Sequence, residues 1–304
     1  MNGIINVYKE KGFTSFDVVA KLRSICHQKK IGHTGTLDPD AEGVLPVCFG
    51  TATKVCDLLT DKDKEYEAVL LLGKETDTQD VSGKVLQEYS VSCGEAEIRE
   101  AVSAFVGEYS QIPPMYSALK VNGKKLCDLA RSGIEIERKP RTVQIFELTV
   151  EQIQLPRVKL KVHCSKGTYI RTLCYDIGKK LGCGGCMESL VRIRSGMFSV
   201  ADALKLSDIK KMAELGQLEK QLIPADQLFL DYPHAQVHRE FQKLLINGNR
   251  LPKRAFYIEG NASQMSLEKL RVYYGEEFFG IYMQDETRRD YKPQKIFFTV
   301  IPEC

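Results

Sequence analysis

No run of apolar residues in this chain reaches the length a bilayer-spanning helix needs, so a helical membrane protein is not expected. No basic-then-apolar leader precedes the strand-like stretch from Gly3 to Tyr8, and a soluble, unexported, cytoplasmic protein is expected. Cysteines are present, but only one pair stands at ligand spacing. The ten are scattered, and Cys183-Gly-Gly-Cys186 is the one C-x-x-C. It has no second pair at zinc-finger distance. His163-Cys164 keeps zinc open, but a glycine-rich loop after a helix is the better reading. Reduced thiols are the default in an unexported chain, and Cys26, Cys48 and Cys174 sit inside apolar patterns as small hydrophobes. Histidines number five, and none stands at ligand spacing from His33. No internal repeat or low-complexity tract is present. The remaining composition is globular: 304 residues, 43% hydrophobic and 27% charged, enough for one large domain and a smaller one.

The net charge of +3 says little about partners, but its distribution says more. Residues 120–141 hold seven cations, Lys120, Lys124, Lys125, Arg131, Arg138, Lys139 and Arg141, against three acids, Asp128, Glu135 and Glu137. The whole positive excess therefore lies in one segment. A concentrated basic stretch suits a phosphate backbone; a solvated charged face is the equally weighted alternative on charge alone.

Strand and helix patterns alternate irregularly, without a βαβ repeat. Ser15 can cap a helix whose apolar positions Val18, Val19, Leu22, Ile25 and Cys26 recur at helical spacing. Tyr66 to Leu72 reads as a buried strand ended by Gly73. Ser92-Cys93-Gly94-Glu95 resembles a capping box opening a helix to about Val106. Residues 142–150 and 157–164 pattern as paired strands, the second alternating Val158, Leu160, Val162 and Cys164 against Lys159, Lys161 and His163. A helix is expected from Thr168 to Leu181, stopped by Gly182, then a strand from Leu190 to Val200. A boundary is placed near Leu230 to His234. Beyond it a short helix, Val237 to Ile246, and β-like runs at 278–282 and 296–301 suggest a small β-rich domain.

The most informative stretch is Gly32-His33-Thr34-Gly35-Thr36-Leu37-Asp38-Pro39-Asp40-Ala41-Glu42-Gly43-Val44-Leu45-Pro46. Its glycines permit unusual backbone angles and close approach of a ligand. Pro39 biases Asp38 away from helix. An acid, an imidazole and hydroxyls are thus gathered on one tight connector, as functional loops often are. Composition alone favours a plain Asp-Pro turn.

That stretch resembles the signature of the TruB/dyskerin group of pseudouridine synthases, ungapped over its length. Further blocks agree in order: Lys9 to Ser15, Lys64-Glu65-Tyr66, Gly73 to Asp80, Gln111 to Lys120, and Cys164 to Arg171. The resemblance covers residues 3–230 well and the tail loosely. Glu10 stands where the group usually has proline, and a looser turn after the first strand is expected there. The resemblance implies an α+β pseudouridine synthase fold, with a large mixed, mainly antiparallel sheet over 1–230. It implies an RNA-clamping insertion at about 111–141 and a PUA-like RNA-binding tail domain over 234–304.

It also implies roles, each competing with a plainer one. Asp38 becomes the catalytic carboxylate, where a turn was otherwise preferred. Arg171 becomes its ion-pair partner, against a surface arginine on a helix. Tyr66 becomes the aromatic that stacks on an extruded base and serves late proton removal, against an ordinary strand tyrosine. His33 fills the vacated space or touches the loop RNA. Tyr169 and Leu190 line the uracil pocket, a role compatible with core packing, and Lys9 lies at the floor. Lys120, Lys124, Lys125, Arg131 and Arg141 become phosphate contacts. Asp77 to Gly83 superficially resembles a calcium loop, but Ser82 occupies the sixth position where glycine is preferred, so an RNA-facing turn is the better reading. The implied reaction is isomerisation of the T-loop uridine of tRNA conventionally numbered 55. It is redox-neutral and needs no activated donor, so no cofactor and no metal are expected. The tRNA T-arm is the expected partner, with no membrane, and the chain is expected to be a monomer. Long basic extensions of dyskerin-like enzymes are missing, which favours a stand-alone enzyme over a guide-RNA-dependent one. The rival is a non-catalytic RNA-binding or RNA-folding protein that keeps only the grip.

Overall fold

The computed structural model describes residues 1–121, 123–258 and 266–297. Thirteen strands precede residue 200 among the described residues: β1 (Gly3–Lys9), β2 (Ile31–His33), β3 (Glu42–Phe49), β4 (Lys64–Leu72), β5 (Lys74–Thr76), β6 (Val85–Glu88), β7 (Gly107–Gln111), β8 (Lys120–Val121), β9 (Lys124–Lys125), β10 (Arg141–Gln154), β11 (Arg157–Cys164), β12 (Gly185–Ser195) and β13 (Phe198–Ser199). Nine of them form one mixed sheet in the order β1-β3-β12-β4-β11-β10-β7, with β2 beside β3 and β13 beside β12. Its pairings are antiparallel except β3 with β12. The pairs β5–β6 and β8–β9 are separate hairpins.

The alternation expected of β11 is present, and β4, expected as a buried strand, alternates as well. Tyr66, Ala68, Leu70 and Leu72 on β4, and Val158, Leu160, Val162 and Cys164 on β11, face inward. Outward, Lys159 meets Glu67 and Glu151 at 2.9 Å each, and His163 meets Asp63 at 2.7 Å. Such exposed pairs each contribute at most about 1 kcal/mol. The apolar face is what holds the sheet, at roughly 1.5–3 kcal/mol per fully buried aliphatic side chain.

Helices α3 (Glu95–Ser103) and α5 (Ile170–Lys180) cover that face through Ile98, Val102, Leu173, Cys174 and Ile177. A Cβ on Gly178 would lie 2.3 Å from the backbone nitrogen of Gly185, so α5 packs against β12 backbone to backbone. α3 opens with the Gly94 amide donating to Glu97 Oε2 at 2.7 Å, and α5 is followed by Gly182 at φ +70°. At the other end α1 (Ser15–Ile25) and α6 (Leu206–Glu214) pack on β1 and β3 in a second cluster around Val18, Leu22, Leu45 and Val47.

Three expectations need correcting. The cap of α1 is Thr14, whose Oγ1 accepts from the Asp17 amide at 3.0 Å; Ser15 is buried and bonds elsewhere. The expected strand 190–200 instead starts at Gly185 and breaks at Gly196, because the glycines read as loop permit tight packing on α5. The expected helix 237–246 shrinks to a 3-10 turn, Arg239–Phe241, and one helical turn, Gln242–Ile246. Val237 ends a strand there.

The chain passes through a 3-10 turn at Ala225–Phe229 into a second sheet with its own core around Ala235, Leu270, Val272 and Tyr282. It contains β14 (His234–Val237), β15 (Leu251–Pro252), β16 (Phe256–Ile258), β17 (Lys269–Tyr274), β18 (Glu277–Asp285) and β19 (Asp290–Ile296), in the order β15-β19-β18-β17-β14-β16. β18 contains the run 278–282; of the run 296–301, residues 298–301 lie outside the described residues. Phe229, Phe278, Ile281 and Phe297 join the sheets against Ile4, Val44 and Val55. Lys54 Nζ reaches Ile296 O at 2.8 Å, and Lys295 Nζ reaches back to Lys54 O at 2.6 Å. No described helix is long and apolar enough to cross a membrane.

Candidate active site

The signature stretch runs from β2 through a loop into β3, and neighbours pin the loop on every side. Leu37 is buried, and its amide donates to Ser15 Oγ at 2.9 Å, which fixes the loop to the start of α1. Pro39 O accepts from the Gly12 amide at 2.9 Å and from Lys9 Nζ at 3.0 Å. Lys9 also donates to Phe13 O at 2.6 Å and Glu10 O at 3.2 Å, so the turn carrying Glu10 is closed from within. Lys9 has no exposed surface, and burial pushes its ammonium down to about 8. At the exit of the loop Gly43 adopts φ +101°, and a Cβ there would lie 2.3 Å from Arg192 O. The parallel contact of β3 with β12 therefore requires glycine at this place.

Asp38 stands on this loop with its side chain 39% exposed. Arg171, in the first turn of α5, places Nε 2.9 Å from Asp38 Oδ2. The same guanidinium donates to Thr78 O at 3.0 Å and Tyr116 O at 2.8 Å, and lies 3.4 Å from Asp80 Oδ2. Buried and held by four partners, it has one orientation to offer the carboxylate. Burial raises the Asp38 carboxyl above the ordinary aspartate value and Asp80 adds to this, while Arg171 and Lys9 pull it back.

Tyr66 faces the same side, and burial pushes its phenol up to about 12. It is the cross-strand partner of Arg192, whose charge acts against the rise. Leu190 lies one inward position along β12, opposite Ala68, and is buried in the cluster that holds Leu37 and Tyr66. Tyr169 precedes α5, and its backbone is clamped by Gln111. Tyr169 N donates to Gln111 Oε1 at 2.8 Å, and Gln111 Nε2 donates to Tyr169 O at 2.9 Å. Burial raises its phenol above the ordinary tyrosine value. His33 ends β2, half-buried; burial and the charge of Arg192 lower its imidazole. Asp38, Tyr66, Arg171, Tyr169, Leu190 and Lys9 thus belong to one neighbourhood.

The basic residues are exposed. Lys120, Lys124 and Lys125 are exposed on the β8–β9 hairpin, and none has a carboxylate within 4 Å among the described residues. Lys120 sits directly opposite Lys125. Like charges so paired repel, and an anion shared between them relieves the repulsion. Arg131, at the end of α4 (Leu126–Arg131), is 3.8 Å from Asp128 and largely exposed. Arg141 opens β10, exposed, in register with Gln111.

The site contains two charged groups that sequence reasoning did not single out. Asp80 sits beside Arg171, in a turn where its Oδ1 accepts from Thr78 Oγ1 at 2.7 Å and from the Ser82 amide at 3.0 Å. The stretch read as an RNA-facing turn is therefore tied to Arg171. Arg192 is fully buried, its Nε donating to Val44 O at 2.7 Å. The one available signal was an arginine at an inward position of β12, two residues after Leu190. Cys183 and Cys186 are both buried, with Cys93 Sγ 4.0 Å from Cys183 Sγ. His163 is engaged with Asp63 and Arg194. Among the described residues no group of three His, Cys, Asp or Glu side chains is arranged to hold a metal ion.

A model of the TruB family pseudouridylate synthase N-terminal domain matches residues 23–170, and one of the tRNA pseudouridylate synthase B C-terminal domain matches 171–230. The tRNA pseudouridine synthase B of Lachnoclostridium phytofermentans is 55% identical, covering 98% of this chain and 100% of that protein. That of Alkaliphilus oremlandii is 45% identical, covering 96% of each. Among solved structures, the chain is similar to one in a Cbf5-Nop10-Gar1 complex, with 26% identity and a TM-score of 0.71 over 97% of this chain and 85% of the other. A chain of an H/ACA RNP bound to a substrate RNA containing 2′-deoxyuridine shares the fold at 24% identity, with a TM-score of 0.70 over 98% and 85%.

Proposed function

The chain belongs to the TruB family of pseudouridylate synthases, and we propose that Asp38 is the carboxylate with which it isomerises the T-loop uridine of tRNA conventionally numbered 55. It is a tRNA pseudouridine synthase, an enzyme of the isomerase class. The reaction breaks the N1–C1′ bond, turns the detached base and joins C5 to C1′. C5 gives up one proton and N1 gains one, so neither an oxidant nor a group donor is consumed.

The observation that carries this reading is the 2.9 Å contact between Arg171 Nε and Asp38 Oδ2 on a loop that leaves the carboxyl group partly open. A guanidinium at that distance favours the anion against the cost of burial. The anion then serves as nucleophile, or stabilises positive charge at C1′. A uracil inside a folded RNA loop is out of reach until it is flipped, and Tyr66 supplies an aromatic face for it. The Tyr66 hydroxyl relays the C5 proton to water. Leu190 and Tyr169 wall the pocket, His33 borders the vacated space, and Lys9 supports the loop from beneath. Lys120, Lys124, Lys125, Arg131 and Arg141 contact phosphates. The β-rich sheet after residue 234 is a PUA-like element that adds grip on the T arm. We place the enzyme in the cytoplasm as a monomer.

An unmodified T-arm hairpin carrying tritium at uridine C5 tests this. The wild-type protein is expected to release tritium from one uridine, and Asp38→Asn to release none while still binding. Under the rival reading, an RNA-folding protein, the wild type releases none.

A further inference from the structure

Arg192 is among the most deeply buried of the described side chains, and no described carboxylate lies within 4 Å of it. That is an unusual way to keep a permanent cation, because a buried guanidinium is costly without an acid. Arg171, its neighbour, has Asp38 and Asp80. Arg192 has two backbone carbonyls, Val44 O at 2.7 Å and Gly35 O at 3.2 Å, and Tyr66 as its cross-strand neighbour. The charged groups that feel it aggravate the cost: Lys9, Lys64 and His33 are all lowered by its charge. The one facing group able to become an anion is Tyr66. Tyr66 in turn faces Arg192 from β12, Cys164 from β11 and Asp38 from the loop.

From this geometry we infer that Arg192 is a positioning residue for the isomerisation, acting through Tyr66. Arg192 stands directly opposite Tyr66 across the β4–β12 pairing, so its fixed charge lies on the same face as the phenol. As a proton leaves the phenol oxygen, the negative charge builds against a cation already in place. The carbonyls of Gly35 and Val44 flank the signature loop, so the same side chain fixes the distance between Tyr66 and the Asp38 loop. This rests on the reading that Tyr66 handles the C5 proton, and it deepens that reading.

The test is a mutant cycle on the full-length enzyme with the tritiated hairpin. Wild-type turnover that is lost in Asp38→Asn secures the underlying reading first. Arg192→Met is then expected to lower kcat by about a hundredfold while KM stays within about twofold. Arg192→Lys, which keeps a cation, is expected to lose less than about tenfold. In a Tyr66→Phe background Arg192→Met is expected to cost under about threefold. An equal loss with and without the Tyr66 hydroxyl overturns the proposal, since a merely structural arginine is missed in both. Where Arg192→Met does not fold, Arg192→Gln replaces it. Where neither folds, the Lys variant decides: its loss must vanish with Tyr66→Phe, and an additive loss refutes the inference. A readout independent of turnover is 3-fluorotyrosine placed at position 66 and titrated by its fluorine resonance. Its midpoint is expected to rise when Arg192 becomes Met or, if neither neutral variant folds, to shift in the Lys variant; an unmoved midpoint overturns the proposal even if the enzyme makes no pseudouridine.

Discussion

Arg171 and Arg192 are sealed beneath the Asp38 loop, each donating to backbone carbonyls, whereas Lys120, Lys124 and Lys125 stand exposed on a two-stranded hairpin with no described acid beside them. Both sets are positive, yet the fold treats them oppositely. The buried arginines have fixed positions, and their surroundings shift the acid–base behaviour of Asp38, Tyr66 and His33. The hairpin lysines keep the solvation and freedom that suit a phosphate backbone, where a charge needs only proximity. Changing a buried cation should therefore alter chemistry, and changing an exposed one should alter affinity.

The largest effect that would sharpen this contrast is at Arg171. Arg171→Met is expected to lower kcat by about 10²–10³-fold. It removes a cation that holds the Asp38 carboxyl down, so the acid limb of the pH–kcat profile should move to higher pH. A limb that stays in place would break the link between the two residues. Next is Gly43→Ala, whose new Cβ must displace the Arg192 backbone. A loss of about 3 kcal/mol in urea unfolding is expected, and a loss below about 1 kcal/mol would mean that the β3–β12 contact is adaptable.

Smaller again is the double reversal Lys124→Glu with Lys125→Glu. It is expected to weaken hairpin binding by about tenfold and to reduce the salt slope by about 1.5, with kcat at saturation unchanged. An unaltered salt slope would remove these lysines from the RNA interface. The smallest change concerns the scaffold under the loop. Thr14→Ala removes the cap of α1, including the 2.6 Å contact of Thr14 Oγ1 with Asp17 Oδ2, and should cost about 1 kcal/mol of stability with kcat intact.

How much of this was legible in the sequence differs residue by residue. The alternation of β11 was readable because one face is apolar and the other carries Lys159, Lys161 and His163, whereas β4 read as a buried strand because Val69 and Leu71 interrupt its charged face. The Asp38 loop was readable as a signature, and the glycine at 43 has a steric reason that only the fold displays. Arg171 was legible through its sequence block and not through its helix, since an arginine in a first turn usually faces solvent. Arg192 was legible only as an arginine at an inward position of β12, two residues after Leu190. A register shift between Arg192 and Arg194 sets the first opposite Tyr66 and the second opposite Glu65, where simple alternation would give both one face. Ser15 was mistaken for a cap because Thr14 and Ser15 are both competent, and only the buried contact with Leu37 tells them apart. The expected helix after Val237 failed because helical spacing over so few residues also fits a strand followed by a 3-10 turn.

Asp38 and the lysine hairpin can be tested side by side on one labelled T-arm hairpin, measuring dissociation constant and single-turnover rate for each variant. Asp38→Asn should bind as the wild type does and form no pseudouridine, while Lys124→Glu with Lys125→Glu should bind weakly and, once saturated, react at the wild-type rate. Isomerisation by Asp38→Asn, or a loss of binding as deep as its loss of turnover, would contradict the division between a buried site of chemistry and an exposed site of grip.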